Sequence, residues 1–564
     1  MPDSPYPLAR RAVMRMKAYL PPLEGRRSKI RLDFNENTLG FPDQLPDMDP
    51  THVSAYPEYA ELIEGLAAHL LLPPEWLLIT NGSDEGLFVA AFTFIEPDED
   101  KAIISSPTFS LIPHYLQLCQ AQIEEVVVND DLSLNLEGLE DALERGAKLA
   151  LWASPDNPTG GTVPIDRLKD WLKRFPKTLF VLDEAYFEYH QHSALALLPD
   201  FPNLVVSRTF SKAWGMAGLR LGYLAAHPQL IEWMRRVRSP YSVNSVAAKT
   251  LLAFLPQARR VLEQADAVVE RKVRSLERVK ELGYRTTAGA ANFYLIWAGL
   301  TSKQLAAHLN AHGVLVRDRS SLLKMGGSVR VSVGSEPEME QFHEGLASFG
   351  KSYGIIFDLD DTLVDTSQSY DLCISQMTGA SREALLALRA EGGFNDDWEA
   401  AAELLRRDGR ERPLADVTRE GKALYLELAP AVETPMFAPE TLAALGRRHP
   451  LFILTGRPRD EFQPLWNERL KDYFRSIVCK DDSPTDRTKP CPDGLLSLMQ
   501  KHGLTGGVYI GNSVDDMQAA HAAGLLAIGV TTNQSEAALR AAGADHILSG
   551  VDQVLGLFLL KEVP

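Results

Sequence analysis

With 564 residues, the chain is long enough for about three to four domains. Its formal net charge of −17 at pH 7 argues against nucleic acid or an anionic membrane surface as a general partner, because a diffuse negative field repels both. No apolar run approaches the roughly 18 residues that span a bilayer, and the start MPDSPYPLARRAVMR lacks the apolar stretch of a signal peptide, so we predict a cytoplasmic protein.

The four cysteines are scattered along the chain without the close CxxC spacing of zinc sites. They are Cys119, Cys373, Cys479 and Cys491. This pattern predicts reduced, structural thiols.

The first candidate site is the segment TNGSDEGL (80–87), which follows the apolar run LLIT and opens a predicted helix. Backbone amides near Ser83 and Asp84 can point at an anion there, since a helix N-terminus favours negative charge. Ser83 also fits a simple helix N-cap, and both interpretations can hold. Farther along, Phe109 in SPTFSL would be assigned to the core if taken alone.

Three later segments place polar residues at or beyond the ends of apolar runs: SPDNPTGG (154–161), FVLDEAYFEY (180–189) and RTFSKAWGMAGLRLGY (208–223). The residues concerned occur in the order Asn157, Asp183, Tyr186, Ser211, Lys212 and Arg220. This set resembles the fold-type I pyridoxal-phosphate aminotransferases, and the resemblance extends from about residue 10 to 348. It implies an α/β fold with a large and a small subdomain.

The resemblance implies a role for each of these residues. Lys212 would form the Schiff base with the cofactor and later carry the proton between substrate and cofactor carbons. Asp183 would pair with the protonated pyridine nitrogen, and Phe109 would stack on the ring. Asn157 and Tyr186 would hydrogen-bond the phenolic oxygen. The cofactor phosphate would be bound by four groups: Ser83, Asp84, Ser211 and Arg220.

Further segments are similar to those of histidinol-phosphate aminotransferases: AYLPP (18–22), RLDFNENTLGFP (31–42), YPE (56–58), RSPYSVNSVA (238–247) and GVLVRD to GGSVRVSVGS (313–335). They imply that Arg330, Arg317 and Tyr19 bind the substrate anion. Tyr56 would reach the cofactor phosphate of a neighbouring subunit, in a homodimer. The chain departs from the family at four positions, with Pro22 before the expected glycine, Thr38 for proline, Phe109 for tyrosine and Ser242 for asparagine.

The stretch GLASFGKSYGIIFDLDDTL (345–363) fits two phosphate signatures. From Gly345 it matches a P-loop, which requires a strand before the glycines and a helix after them. The apolar spacing instead predicts a helix up to Gly350, which would end it, then Lys351 in a solvated linker and a strand over 355–357. That order favours the second signature, in which Asp358 and Asp360 follow a strand end. Local capping by these aspartates is the alternative.

Three segments downstream reinforce this interpretation: LFILTGRP (451–458) with Thr455, TKPCPDG (488–494) with Lys489, and GVYIGNSVDDMQAAHAAG (507–524) with Asn512, Asp515 and Asp516. With Asp358 they resemble the four motifs of haloacid dehalogenase-like phosphatases. The resemblance implies that Asp358 attacks phosphorus and that Asp360 is the general acid and base. Thr455 and Lys489 would hold phosphoryl oxygens. Mg²⁺ would be bound by four residues: Asp358, Asp360, Asn512 and Asp516. Asn512 replaces the aspartate usual in the family.

We therefore predict an α/β protein with two domains. Residues 1–350 form a fold-type I aminotransferase domain, and residues 351–564 a haloacid dehalogenase-like domain, with its core at 351–366 and 436–564 and a helical cap at 367–435. The resemblances imply a bifunctional enzyme of histidine biosynthesis. Its first domain would transfer an amino group between histidinol phosphate and 2-oxoglutarate, giving imidazole acetol phosphate and glutamate, and its second would be a Mg²⁺-dependent phosphatase acting on histidinol phosphate or a related phosphomonoester. Two alternatives stay open: an O-phosphothreonine decarboxylase-like lyase, and a C-terminal domain that senses a ligand or docks without turnover.

Overall fold

The structure is a computed structural model that describes residues 9–39, 45–390, 396–482 and 487–558. Residues 40–42 of the RLDFNENTLGFP segment, residues 391–395 of the predicted cap and both chain ends lie outside the described residues. The chain divides into two compact units, of which the first extends to Gly345 and the second begins at Leu346. The predicted boundary after residue 350 lies a little beyond this division.

The strands of the first unit are β1 Ile30–Arg31, β2 Leu77–Thr80, β3 Lys101–Ser106, β4 Gln122–Val127, β5 Leu149–Ala153, β6 Leu179–Asp183, β7 Leu204–Thr209, β8 Gly222–Ala226, β9 Arg285–Thr287, β10 Phe293–Trp297, β11 Val314–Leu315, β12 Arg317–Asp318 and β13 Ser328–Ser332. Its helices are α1 Arg11–Arg15, α2 Thr51–Ser54, α3 Ala60–Leu70, α4 Gly82–Phe94, α5 Leu111–Leu118, α6 Leu136–Glu144, α7 Ile165–Arg174, α8 Phe187–His190, α9 Pro228–Val237, α10 Ser245–Phe254, α11 Ala258–Glu281, α12 Ser302–Ala311 and α13 Glu336–Ser352, whose last turns belong to the second unit.

A seven-stranded sheet in the order β2-β8-β7-β6-β5-β3-β4 carries the first candidate site. All pairs are parallel except those of β8, which is antiparallel to both neighbours. Every residue of β5, β6 and β7 is buried, as expected of apolar strands covered on both faces. The carboxyl ends of these strands meet at one edge of the sheet, so the polar residues that follow them lie together.

A smaller antiparallel sheet in the order β12-β13-β10-β9 forms a separate layer of the first unit. Strand β10 is fully buried and pairs Leu295 with Arg330 of β13. Strand β12 pairs Arg317 directly with Arg330. This register brings two of the predicted substrate-binding arginines to one face of the sheet.

The P-loop alternative is excluded, because Gly345, Gly350 and Lys351 all lie within helix α13. A helix comes before the strand here, as the apolar spacing predicts. Gly350 does not end the helix, however, and Lys351 is not in a linker, so these two predictions are wrong. Gly350 is required for another reason: a Cβ at this position would lie 2.7 Å from the carbonyl oxygen of Arg448.

The strands of the second unit are β14 Tyr353–Phe357, β15 Val364–Asp365, β16 Thr434–Pro435, β17 Leu451–Leu454, β18 Ser476–Val478, β19 Gly506–Gly511, β20 Leu526–Val530 and β21 His546–Leu548. Its helices are α14 Ser369–Thr378, α15 Arg382–Ala390, α16 Asp397–Arg407, α17 Leu414–Val432, α18 Pro439–Gly446, α19 Arg459–Phe462, α20 Asn467–Leu470, α21 Asp493–His502, α22 Val514–Ala522, α23 Glu536–Ala541 and α24 Val554–Phe558.

A six-stranded parallel sheet in the order β18-β17-β14-β19-β20-β21 forms the centre of this unit. Helices α14 to α17 are inserted between β15 and β16, which pair with each other where the insertion leaves and rejoins the sheet domain. The insertion has an apolar core of its own, built around Ile374, Leu385 and Leu405. An α/β fold with an inserted helical cap is thereby confirmed.

No helix among the described residues has the length and apolar character needed to cross a bilayer. All four cysteines are free thiols, and Cys119, Cys373 and Cys479 are buried.

Candidate active sites

The first site is a cavity at the carboxyl ends of β5, β6 and β7. It is lined by Ser83, Asp84, Phe109, Ala153, Asn157, Asp183, Ala185, Tyr186, Thr209, Ser211, Lys212 and Arg220. Every residue predicted to bind the cofactor, apart from Tyr56, therefore lines one cavity. Their roles stay predictions, but the fold brings them together from segments far apart in the chain.

Lys212 lies in the turn after β7, with its ammonium group facing the cavity. Its Nζ donates a hydrogen bond to the carbonyl oxygen of Phe34 at 2.9 Å and lies 5.7 Å from the centre of the Tyr186 ring. Nζ thus has a single neutral acceptor and no carboxylate partner among the described residues. This arrangement leaves a tethered amine in reach of a carbonyl compound bound in the cavity.

Asp183 ends strand β6 and is 3% exposed. Its Oδ1 atom is buried and accepts no hydrogen bond within the described part of the chain. Burial raises the pKa of Asp183 to about 7. An unpartnered, buried carboxylate oxygen is costly, and a cationic N–H donor in the cavity would relieve that cost. The pyridinium nitrogen of pyridoxal phosphate fits this description.

The anion-binding part of the cavity is built on helix α4, which begins at Gly82. Arg220 donates from Nη2 to Asp84 at 2.8 Å and from Nη1 to Ser211 Oγ at 3.3 Å. Gly82 has a φ of +72°, and a Cβ at this position would lie 2.5 Å from Arg220 Nη2. Glycine is therefore needed both for the turn and for the approach of the guanidinium. A helix N-terminus beside an arginine and a hydroxyl suits a phosphate group.

Two residues that sequence reasoning missed, Phe34 and Asn35, contact side chains that line the cavity. Asn35 donates from Nδ2 to the Tyr186 hydroxyl at 2.8 Å, and its backbone N–H donates to Ser332 Oγ at 3.0 Å. Phe34 supplies the acceptor for Lys212. Both lie in the segment RLDFNENTLGFP, whose similarity to the family was the available signal.

Arg330 is 2% exposed and donates to the side chain of Asn157 and to the carbonyl oxygen of Asp33. Its Nε is buried without an acceptor among the described residues. Arg317 lies opposite it, with its guanidinium carbon 5.6 Å from the centre of the Phe34 ring. Arg330 thus contacts Asn157, which lines the cofactor cavity, whereas Arg317 lines a neighbouring cleft with Arg26. Their substrate-binding role stays a prediction.

The two predicted tyrosines lie at the surface of this chain. Tyr19 is 43% exposed, and Tyr56 is 75% exposed and stacks on Tyr241 with ring centres 4.3 Å apart. Tyr56 is not among the cavity-lining residues. An exposed aromatic pair is compatible with the predicted reach into a neighbouring subunit, which stays a prediction.

The second site lies at the carboxyl ends of β14, β17 and β19, and Lys489 is at its centre. Lys489 Nζ donates to Asp358 at 2.8 Å, to Asp516 at 2.6 Å and to the Tyr509 hydroxyl at 3.0 Å. Burial opposes the charge of Lys489, but the carboxylates of Asp358 and Asp516 outweigh it and hold the lysine pKa well above its usual range. The ammonium group therefore stays charged beside the predicted nucleophile.

Asp360 and Thr455 contact each other across the same edge of the sheet. Thr455 Oγ1 donates to Asp360 at 3.3 Å, and Arg457 donates to the other Asp360 oxygen from Nε at 2.9 Å and from Nη2. The Arg457 side chain is fully buried and also pairs with Glu433 at 3.1 Å. Sequence reasoning missed both Arg457 and Glu433. Arg457 lies in the segment LFILTGRP quoted above.

The predicted metal ligands are all oxygen donors, which suits Mg²⁺. Burial raises the pKa of Asp358, Lys489 counteracts the rise, and the charges of Asp516 and Asp360 add to it, so a nearby cation would favour the ionised nucleophile. Asn512 Oδ1 accepts from Thr362 at 3.3 Å. Asp516 already uses one oxygen for Lys489 and the other for the Ser513 N–H at 3.0 Å. Among the described residues, no three His, Cys, Asp or Glu side chains are arranged as a metal site.

Comparison with known proteins agrees with both halves of the chain. Residues 28–346 match the family model "Aminotransferase class I and II", and residues 354–524 match "haloacid dehalogenase-like hydrolase". A histidinol-phosphate aminotransferase of Symbiobacterium thermophilum is 35% identical over 353 residues, which cover 60% of this chain and 97% of that protein.

Solved structures show the same fold for the first unit. The histidinol-phosphate aminotransferase of Sinorhizobium meliloti, solved in complex with pyridoxal-5'-phosphate, aligns with a TM-score of 0.52 and 24% identity, covering 60% of this chain and 96% of that one. The L-threonine-O-3-phosphate decarboxylase of Porphyromonas gingivalis aligns with a TM-score of 0.50 and 20% identity, covering 57% of this chain and 99% of that one. The chain belongs to the class I and II aminotransferase family, and a haloacid dehalogenase-like hydrolase domain follows the aminotransferase domain in the same polypeptide.

Proposed function

We propose that the first unit transfers an amino group between histidinol phosphate and 2-oxoglutarate, and that the second removes phosphate from histidinol phosphate or a related phosphomonoester with Mg²⁺. The observation that carries the first half is the cavity around Lys212, in which the buried Asp183 Oδ1 has no hydrogen-bond partner among the described residues. The names of the most similar relatives support the choice of substrate. We further propose a cytoplasmic homodimer in which Tyr56 contributes to the partner subunit's site.

Bound pyridoxal phosphate supplies an aldehyde that combines with amines and a ring that withdraws electrons from the neighbouring carbon. Lys212 would hold the cofactor through its aldehyde, and its amine, when free, would carry the proton that the reaction moves. Asp183 would accept a hydrogen bond from the protonated ring nitrogen. Asn157 and Tyr186 would orient the ring through its phenolic oxygen, and Phe109 would pack against the ring face.

The N-terminus of α4, together with Ser211 and Arg220, would hold the cofactor phosphate. Arg220 already contacts both Ser211 and Asp84, so its guanidinium is positioned before an anion arrives. A donor set that is fixed in advance loses little entropy on binding. Arg330 and Arg317 bind the acidic group of the substrate, because a guanidinium fork fits carboxylate or phosphate with two hydrogen bonds.

In the second unit, Asp358 attacks the phosphorus atom and becomes a phosphorylated aspartate, while Asp360 donates a proton to the departing alcohol. Asp360 then takes a proton from water, which attacks the phosphorylated aspartate and releases inorganic phosphate. Thr455 and Lys489 bind the phosphoryl oxygens and stabilise the negative charge that these oxygens carry during the transfer. Asp358, Asp360, Asn512 and Asp516 would hold Mg²⁺, which shields the anionic nucleophile from its anionic target.

The two reactions share a substrate, since histidinol phosphate carries both an amine for the first unit and a phosphate for the second. Fusion of the two domains in one chain favours consecutive use of that compound. This reasoning is by association, because no residue described above recognises an imidazole ring.

The test is an incubation of the PLP-loaded protein with histidinol phosphate, 2-oxoglutarate and Mg²⁺, with glutamate and inorganic phosphate measured separately. We expect both products from the wild type. If histidinol phosphate gives neither product while another phosphorylated amine does, the substrate assignment is wrong. Release of carbon dioxide from O-phosphothreonine without a keto acid would select the lyase instead.

A further inference from the structure

Three arginines lie on one face of the small sheet beside the cofactor cavity. Arg317 of β12 pairs with Arg330 of β13, so their side chains lie on the same face. The ladder continues past β12, because the Arg319 N–H donates to the carbonyl oxygen of Ser328 at 2.9 Å. Side chains two residues apart on an extended segment point the same way, so Arg319 joins the other two. We call these three residues the arginine triplet.

No member of the triplet has a carboxylate partner within the described residues. Arg330 donates only to neutral acceptors, the side chain of Asn157 and the backbone of Asp33. The Nε atoms of Arg319 and Arg330 are both buried without an acceptor among those residues. Buried charged donors are almost always paired, so this surface is suited to an anion that the chain itself does not supply.

The neighbouring Arg26 shows the opposite arrangement. Its guanidinium pairs with Asp33 at 2.6 Å and with Glu36 at 2.8 Å, and it shares a cleft with Arg317 and Arg319. Arg26 thus occupies the carboxylates of Asp33 and Glu36, while no carboxylate among the described residues forms an ion pair with the triplet.

The charges of the triplet act on one another. Burial, followed by the charges of Arg330 and Arg317, lowers the pKa of Arg319 to about 9. Burial, with Arg317 adding to it, lowers the pKa of Arg330 to about 10. A bound anion with more than one negative charge would offset the repulsion between the arginines and raise the pKa of each.

The triplet neighbours the cofactor cavity, because Arg330 donates to the cavity-lining side chain of Asn157. Phe34 connects it to the reacting lysine, because its ring lies 5.6 Å from the Arg317 guanidinium and its carbonyl oxygen accepts from Lys212. Tyr186, whose ring is 5.7 Å from Lys212 Nζ, is an electrostatic neighbour of both Arg319 and Arg330. A substrate that extends from Lys212 past Phe34 and Tyr186 would therefore approach these guanidinium groups.

We propose that Arg319 determines specificity by binding a phosphate monoester on the amine substrate, together with Arg317, so that the site prefers phosphorylated amines. The proposal rests on the transamination proposed above. A phosphate monoester carries about −1.5 to −2 charges at pH 7 and three acceptor oxygens, whereas a carboxylate carries one charge and two oxygens. The charge and three oxygens of a phosphate monoester can engage a third guanidinium group beside the first two. A single carboxylate has too few acceptor oxygens and too little charge to need it.

The test compares full-length, PLP-loaded wild type with Arg319→Gln, Arg319→Lys and the control Arg274→Gln, in which an exposed ion pair with Glu336 is removed from the same unit. We expect Arg319→Gln to raise KM for histidinol phosphate about tenfold, because two charge-assisted hydrogen bonds are lost. KM for glutamate and kcat should each stay within about twofold. Arg319→Lys should fall between Arg319→Gln and wild type, and Arg274→Gln should match wild type.

A second measurement does not depend on turnover. Inorganic phosphate is titrated into the same proteins, and the absorbance of the bound coenzyme reports binding beside Lys212. We expect about tenfold weaker binding in Arg319→Gln and wild-type binding in Arg274→Gln. Unchanged phosphate binding in Arg319→Gln, or an equal rise of both KM values, would overturn the role of Arg319.

The outcomes also separate this inference from the proposed function. If wild type transaminates histidinol phosphate but Arg319→Gln has wild-type constants, only the role of Arg319 fails. If wild type does not transaminate histidinol phosphate, the proposed substrate fails, and the phosphate titration still decides whether Arg319 binds phosphate.

Discussion

The two active sites differ in how their buried charges are balanced. In the first, Asp183 Oδ1 and the Nε atoms of Arg319 and Arg330 have no partners within the described residues. In the second, Lys489 pairs with both Asp358 and Asp516, and Arg457 pairs with Asp360. The first site therefore depends on a bound cofactor and substrate for its missing partners, whereas the second is largely satisfied by its own side chains. Four predictions test this difference.

The largest expected effect is the separation of the two chemistries. Lys212→Ala should lower glutamate formation by about 10³-fold or more while phosphate release is unchanged, because Lys212 supplies both the covalent tether and the proton transfer. Asp358→Asn should do the reverse. Both products are measured in one incubation, and Lys324→Ala, which removes an exposed pair with Asp130, serves as the control. Loss of both products in either variant would show that the sites do not act separately.

The next effect concerns the balanced charges of the second unit. Arg457→Ala should destabilise the protein by about 3–5 kcal/mol, because it leaves the buried Glu433 carboxylate without its ion-pair partner. Denaturant unfolding of the full chain is the measurement. Arg540→Ala, which breaks an exposed pair with Glu536 on α23, should change stability little. Equal denaturation midpoints for Arg457→Ala and Arg540→Ala would show that the ion pair of Arg457 with Glu433 does not stabilise the protein.

A smaller effect tests the unpartnered acid of the first unit. The pKa of Asp183 is raised from the model-compound value of 3.8 to about 7. Between pH 3.8 and 7 the unfolded chain releases this proton while the folded protein retains it. The free energy of unfolding is therefore unaffected by Asp183 below pH 3.8 and falls by about 1.4 kcal/mol per pH unit as the pH rises towards 7. The neutral variant Asp183→Asn lacks this loss.

Thermal unfolding of cofactor-free wild type and Asp183→Asn between pH 5 and pH 7 measures the difference. Other buried acids, such as Glu188, are common to both proteins and cancel. We expect the wild type to lose more stability than the variant over this range, and added PLP should reduce the gap, because the ring nitrogen supplies the missing donor. If the stability of wild type and of Asp183→Asn fell equally with pH, burial would not raise the pKa of Asp183.

The smallest effect of a substitution is expected at the metal site of the second unit. Chelation of divalent cations should stop phosphate release and leave glutamate formation intact. Asn512→Asp should lower the Mg²⁺ concentration for half-maximal phosphate release about tenfold, because a carboxylate adds charge where an amide stands. Thr362→Ser, which retains the hydroxyl facing Asn512, is the matched control. Phosphate release that persists in chelator would remove Mg²⁺ from the mechanism.

Residues at strand ends were the part of the sites that sequence reasoning could predict. Asp183, Lys212 and Asp358 each follow an apolar run directly or within a short turn, and parallel strands bring such residues to one edge of a sheet. The helix end predicted at Gly350 was wrong, because the glycine serves the approach of the Arg448 carbonyl oxygen and not a turn. That contact joins residues far apart in the chain and leaves no local pattern.

The sequence by itself indicated the two families, because the motifs at the ends of its apolar runs resemble those of aminotransferases and of haloacid dehalogenase-like hydrolases, as the family models confirm. Only the tertiary structure decided which charges cancel. The pairing of Arg457 with Asp360 and Glu433, the hydrogen bond from Asn35 to Tyr186 and the register that aligns Arg317 with Arg330 all depend on contacts through space. Electrostatic energy depends on distance and burial, and neither is encoded in the spacing of residues along the chain.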